Sequence, residues 1–350
     1  MSDATLPPGR GREHDNSATM IMRVVPRDDE RSSFRELFVR HYPAIRRAGT
    51  GFPHPGVVIV AAEDRRHREP TVLCVAARPD APSVAIVGRH SQADLFLPHD
   101  PTLSLRHLAV LVGTAAEDQT PRLRIMDLRT PLGFEDEHGH PCRSLAVDGP
   151  VLLRCSRQAL FFLVTGTDTE WPENAYDAWA QLPPREYPEP DDDPQAPWPP
   201  AYRVADTMVG RSRRTRSTSD STIVHRVAGP VTAKQRLLIP DEEPRGSLVL
   251  GSSERPRRLI VGDRALRRGV LLGRYDRCES GGGMRILDPD VSRVHLLVLA
   301  IDDRPHAIDT ASTNGSYVRE EARRIRIVPL DASGELVLAR GPTTVRWQPG

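Results

Sequence analysis

Val270-Leu271-Leu272-Gly273-Arg274, Ser292-Arg293-Val294-His295-Leu296-Leu297-Val298-Leu299 and Thr313-Asn314-Gly315-Ser316-Tyr317-Val318 follow one another within fifty residues of the 350-residue chain. Each polar signature abuts a short apolar run. Runs of three to six apolar residues bounded by Gly, Ser, Asn and Asp read as strands. The polar signatures therefore fall at strand ends and loops, where a β scaffold presents its binding groups. Gly273 and Gly315 stand where a side chain would obstruct a turn.

Gly-Arg, Ser-x-x-His and Thr-Asn-Gly, in this order and spacing, resemble the forkhead-associated (FHA) domain. That family is a β-sandwich that reads phosphothreonine in a partner protein. The resemblance implies that Arg274 and Ser292 hold phosphate, that Thr313 shapes the loop meeting the residue, and that Asn314 holds the peptide main chain. It makes His295 a structural histidine beneath the site. Arg293 matches a position that contacts phosphate or peptide, although arginine here replaces the family's frequent asparagine. These residue types suit the task. A guanidinium offers paired N–H donors to phosphate oxygens, a serine hydroxyl donates without charge, and an asparagine amide both donates and accepts.

The same plan occurs earlier. Val84–Gly88 leads to Arg89, Ser104-Leu105-Arg106-His107 precedes the run Leu108–Val112, and Asp127 leads to a turn at Gly133. A repeat of this kind reveals architecture, here two FHA-like sandwiches in tandem. Aligning Asp127 with Asp309 and Gly133 with Gly315 sets Pro131 against Thr313 and Leu132 against Asn314. The first copy keeps Arg89, Ser104 and His107. It lacks the asparagine, and Pro131 has no N–H, so it reads as a degenerate site.

The expected fold class is all-β: two FHA-like antiparallel sandwiches joined by a Pro-rich acidic and then basic linker, with a short N-terminal helical segment. The boundaries are a tail and helix at 1–55, a degenerate sandwich at 56–167, a disordered linker at 168–235 and an FHA domain at 236–350. Phe34, Leu37, Phe38, Tyr42 and Ile45 recur at helical spacing behind Ser32 and Ser33, either of which suits an N-cap. Residues 211–223 are rich in Arg, Ser and Thr, and Thr215, Thr218 and Thr222 read as phosphosites in a tether, able to enter the chain's own pocket or that of another copy.

Net charge is +1, which argues against a nucleic-acid or membrane partner. Lys234 is the only lysine, so an arginine needs a motif before it signifies anything. No apolar run approaches the ~18 residues of a membrane span and the N-terminus has no apolar signal core; a cytoplasmic protein is expected. Cys74, Cys142, Cys155 and Cys278 lack zinc spacing. Three rival readings are weaker. Ser292, His295 and Asp309 as a hydrolase triad would lack a Gly-x-Ser-x-Gly elbow, so no enzyme is expected. His138, His140 and Cys142 beside Glu135, Asp136 and Glu137 fall in a hairpin where solvent is expected, and the glycines at 281–283 lack a Gly-Lys-Ser/Thr ending. No cofactor is implied. The partner is a phosphothreonine-containing protein, a Ser/Thr kinase or its substrate. The alternative is a phosphate-independent scaffold or dimerisation protein that uses its sheet faces.

Overall fold

Apolar runs longer than a half-buried strand needs explain the layering. In the strand Gly56–Glu63, Val57, Ile59 and Ala61 join one core cluster, while Val58, Val60 and Ala62 join another on the opposite face. Successive side chains of a strand point to opposite faces, so a run apolar at every position must be covered on both sides. Strand Leu108–Val112 behaves alike: Leu108, Val110 and Val112 face inward, and Ala109 and Leu111 face outward into a further apolar layer.

The computed structural model describes residues 31–64, 68–115, 120–166, 169–188, 221–232, 236–251, 256–275, 286, 288–319, 321, 323–331 and 334–350. Within Ser32–Gly350, which forms one unit, four sheets stack as two sandwiches. Sheet I orders Thr71–Ala76, Gly56–Glu63, Gln158–Thr165, Val151–Cys155, Phe134–Asp136 and Pro141–Cys142. Sheet II orders Arg185–Glu186, Thr222–Arg226, Ser144–Val147, Leu123–Asp127, Leu108–Val112, Ser83–Gly88 and Leu95–Phe96. Sheet III orders Val231–Thr232, Val270–Leu272, Leu296–Ile301, Arg304–Asp309 and Ile327–Pro329. Sheet IV orders Arg236–Leu237, Arg257–Gly262, Pro244–Gly251, Thr344–Pro349, Glu335–Leu338, Ser316–Val318 and Arg323–Arg324. The all-β expectation holds. Pairing is antiparallel apart from short parallel partners such as Val87 with Leu95 and Val231 with Val270.

Sheets I and II enclose the first core, with Ile59, Leu153, Phe162, Val110 and Ile125 fully buried. Sheets III and IV enclose the second around Leu248, Leu296, Val298 and Leu336. The two sandwiches also pack on each other. Ile86, Ala109, Leu111 and Met126 of sheet II meet Leu271, Leu297, Leu299 and Ile308 of sheet III. Each large aliphatic side chain so buried stabilises by roughly 1.5–3 kcal/mol relative to exposure. The faces of sheets II and III are thus consumed within the chain.

The helix α1 spans Phe34–Thr50 and starts at Ser33, whose hydroxyl accepts from Glu36 N while the Glu36 carboxylate accepts from Ser33 N. This capping box satisfies donors that the helix itself leaves open. Leu37, Phe38, Tyr42 and Ile45 bury against the outer face of sheet I. Here the chain departs from the expected linker. Residues 175–180 form the helix α2, whose Ala178 joins the cluster under α1. Residues 185–186 and 222–226 add strands to sheet II, so these segments of 168–235 belong to the first sandwich, while Val231–Thr232 joins sheet III of the second. The helix α3, Asp263–Arg268, follows sheet IV's strand Arg257–Gly262. Among the described residues no helix is long and apolar enough to cross a membrane.

Candidate functional site

His295 is the post on which the loops of the second sandwich are hung. It is fully buried. Its Nδ1 accepts from Ser292 N at 3.0 Å, which leaves the proton on Nε2 to donate to Gly315 O at 3.1 Å. Burial lowers its pKa despite the nearby Asp309 carboxylate. Both ring nitrogens are therefore spent on the backbone, and a Ser292–His295 nucleophile pair is not assembled. Asp309, equally buried, accepts from Ser312 N at 2.8 Å, Ser312 Oγ at 2.6 Å and Ser316 Oγ at 2.7 Å, which fixes the loop up to Gly315. Gly315 sits at φ +80°, in the left-handed region that favours glycine.

On this frame the predicted residues come together. Arg274 N donates to Ser292 O at 3.0 Å, and Arg274 Nε donates to Val291 O at 2.6 Å. The approach requires a glycine at 273, where a Cβ would stand 2.1 Å from Arg293 O. Ser292 Oγ accepts from Thr313 N at 3.1 Å. Asn314 Nδ2 donates to Asp290 O at 2.9 Å, and Tyr317 Oη donates to Asn314 O at 3.1 Å. Arg274, Ser292, Thr313 and Asn314 thus line one rim, with Thr313 exposed, Asn314 half-buried and Arg293 exposed beside it.

The first sandwich reproduces the arginine, histidine and aspartate bonds of this frame, except that Phe134 stands opposite Ser316 and Arg143 rather than a second hydroxyl donates to Asp127. Arg89 N donates to Ser104 O, Arg89 Nε to Leu103 O, and Ser104 N to His107 Nδ1, all at 3.1 Å. His107 Nε2 meets Gly133 O at 2.9 Å, and Thr130 caps Asp127 as Ser312 caps Asp309. Gly133 is at φ +68°, and a Cβ on Gly88 would stand 2.3 Å from Leu105 O. The tip differs. Pro131 has no N–H to give the Ser104 hydroxyl, so the clamp made by Thr313 N has no counterpart. Leu105 and Leu132 are exposed apolar side chains on these loops.

One site residue was not foreseen. Arg106, which the repeat aligns with Val294, turns into the second sandwich and is 8% exposed. Its Nε donates to Ala311 O at 2.9 Å, and a terminal nitrogen lies 3.3 Å from Thr313 Oγ1 and 3.5 Å from Ser292 Oγ. Gln92 Nε2 also donates to Thr313 O at 3.2 Å, and Arg326 pairs with Asp94 across the same junction. The repeat sets Ser104-Leu105-Arg106-His107 against Ser292-Arg293-Val294-His295, so the signal in the sequence is an arginine at 106 where the second copy has Val294.

Thr222 needs correction as a tether phosphosite. It is 4% exposed in a strand of sheet II, its N–H donates to Pro184 O at 2.7 Å, and its side chain packs against Gly149. A kinase would have to open the sheet to reach it. Thr215, Thr218, Cys278 and the glycines at 281–283 lie outside the described residues. In the hairpin, the buried Asp136 accepts His138 N and His140 N, each at 2.9 Å, and pairs with Arg226 at 2.5 Å. Its acid is turned to fixing the turn. Among the described residues no three His, Cys, Asp or Glu side chains group as metal ligands.

No protein-family model matches the sequence, and no curated protein does. Among solved structures the chain is similar to the Rv1747 FHA-1 domain of Mycobacterium tuberculosis, at 26% identity over 31% of this chain and 99% of that one, with a TM-score of 0.24. It is similar to the FHA domain of the CT664 protein of Chlamydia trachomatis, at 15% identity over 31% and 96%, TM-score 0.25. A third is the yeast Dun1 FHA domain, solved with a doubly phosphorylated phosphothreonine peptide, at 14% identity over 35% and 82%, TM-score 0.27.

Proposed function

We propose that this chain is a phosphothreonine-dependent interaction protein, an adaptor of Ser/Thr kinase signalling. The second sandwich, about 236–350, is its reading FHA domain, and the first is a degenerate copy. The observation that carries this reading is the convergence of Arg274, Ser292 and Thr313, with Thr313 N donating to Ser292 Oγ at 3.1 Å and Arg274 N to Ser292 O at 3.0 Å. A phosphothreonine brings roughly −1.5 to −2 charge and several acceptor oxygens. The Arg274 guanidinium answers the charge, the Ser292 and Thr313 hydroxyls answer the remaining oxygens, and Asn314 exchanges Asp290 O for the peptide main chain. His295, held neutral by burial, adds no charge of its own. Thr215 and Thr218 stay candidates for a phosphorylated segment of the chain itself, which would compete with an external partner.

A scaffold that uses its sheet faces without phosphate is the weaker reading, because the faces of sheets II and III already cover each other. The test is capture of peptides from a degenerate library with a fixed phosphothreonine, before and after phosphatase treatment. Binding that disappears with the phosphate, and with Arg274→Ala, supports the proposal. Equal capture after phosphatase treatment contradicts it.

A further inference from the structure

The phosphopeptide reading leaves one charge over. Arg106 is nine-tenths buried, and among the described residues no carboxylate lies within ion-pair distance of it. Its own sandwich supplies the chain, and the other sandwich supplies its side-chain hydrogen-bond partners among the described residues: Ala311 O, Thr313 Oγ1 and Ser292 Oγ. Burial lowers its pKa, and the Asp309 carboxylate acts on it only through space. A desolvated guanidinium without a counter-ion is costly, and one paired with an anion in good geometry is not. The two hydroxyls it approaches are the two that the proposed function gives to phosphate oxygens. The long contacts, 3.3 and 3.5 Å, leave donor capacity for a shorter bond to a charged acceptor.

We propose that Arg106 is a phosphate ligand of the second sandwich's site. The pocket is then composite, with Arg274 from one sandwich and Arg106 from the other gripping the same phosphate dianion. This inference rests on the proposed function and adds a consequence to it. Packing of sheet II on sheet III becomes a condition of tight binding, and phosphopeptide in turn tightens the packing, because linkage is reciprocal. It also gives the first sandwich a task that its own degenerate loops do not perform.

The test uses the full chain and a fluorescent degenerate peptide library with a fixed phosphothreonine, followed by polarisation and competed with inorganic phosphate. Arg106→Ala weakens binding by about tenfold or more, the loss of a charge-assisted bond. Arg106→Lys falls between it and the wild type, since charge is kept while the Nε bond to Ala311 O is lost. Arg326→Ala, which removes the ion pair with Asp94 at the same junction, stays within about twofold. If Arg106→Ala does not fold, Arg106→Gln carries the same expectation. Affinity of the Arg106 variants equal to or above the wild type, with Arg274→Ala inactive, overturns the inference: Arg106 is then a strut or a plug, and the proposed function stands. A wild-type chain that captures no phosphopeptide overturns both.

Discussion

The loop from Asp127 to Gly133 and the loop from Asp309 to Gly315 share their histidine and aspartate capping bonds and end in different chemistry. In both, a buried histidine ties Ser N to a glycine carbonyl, and a buried aspartate caps a hydroxyl residue. What differs is two residues at the tip. Thr313 supplies an N–H and a hydroxyl and Asn314 a side-chain amide, whereas Pro131 has neither N–H nor hydroxyl and Leu132 has no polar side chain. The comparison separates two duties. Frame residues hold the loop, and their retention says nothing about binding. In the proposed function tip residues face the ligand, and their replacement would end the grip while the fold persists. Arg106 shows a third outcome, a first-sandwich side chain that reaches the rim of its neighbour.

The comparison breaks most readily at the two motif arginines. Arg274→Ala costs about 2–5 kcal/mol of phosphopeptide affinity, as when one side of a buried charge pair is removed, while Arg89→Ala leaves binding unchanged in the same titration. An equal loss from both would mean that the first rim also binds. The frame is probed next by Gly88→Ala and Gly273→Ala, where the new Cβ meets a backbone carbonyl at 2.3 and 2.1 Å. Each lowers stability by roughly 1–3 kcal/mol, measured by denaturant unfolding. A loss at only one of them would show that the frames are not equivalent.

Smaller effects refine the tips. Asn314→Ala costs about 1–2 kcal/mol of affinity through lost bonds to the peptide main chain. The reciprocal graft, Pro131→Thr with Leu132→Asn on an Arg274→Ala background, restores weak phosphopeptide binding by calorimetry if the tip alone separates the copies. The smallest effect is on pH. Burial lowers the pKa of both His107 and His295 below the ordinary histidine value. The unfolded chain takes up these protons near pH ~6.5 and the folded chain resists, so stability is complete above that pH and falls as pH drops below it. Melting temperature measured from pH 7.5 down to 5 should decline, with a shallower slope in His107→Gln and His295→Gln.

Much of this was legible because local chemistry dictated it. Ser32 or Ser33 before the helical spacing of Phe34 to Ile45 signals a helix start, and Gly273 and Gly315 signal tight backbone approaches that glycine meets. The runs Leu296–Leu299 and Leu108–Val112 are apolar at every position. That pattern announces cover on both faces, although it does not say that each covers the other. The joining of Thr222–Arg226 to sheet II was hidden by the basic, hydroxyl-rich run before it. A strand with only Thr222 and Val224 buried has too short a pattern to outweigh that composition. The crossing of Arg106 was invisible for a different reason. Its counterpart in the repeat is Val294, which packs at the junction of the two sandwiches, and the sequence does not say that this loop position faces the other sandwich.

The central claim is that the second rim reads phosphate and the first does not. It is tested most directly by titrating the full chain, Arg89→Ala and Arg274→Ala against one fixed-phosphothreonine library and its phosphatase-treated twin. The account predicts binding by the wild type and by Arg89→Ala to the phosphorylated library only, and none by Arg274→Ala. Binding by Arg274→Ala equal to that of the wild type, or retained on the dephosphorylated library, would contradict it.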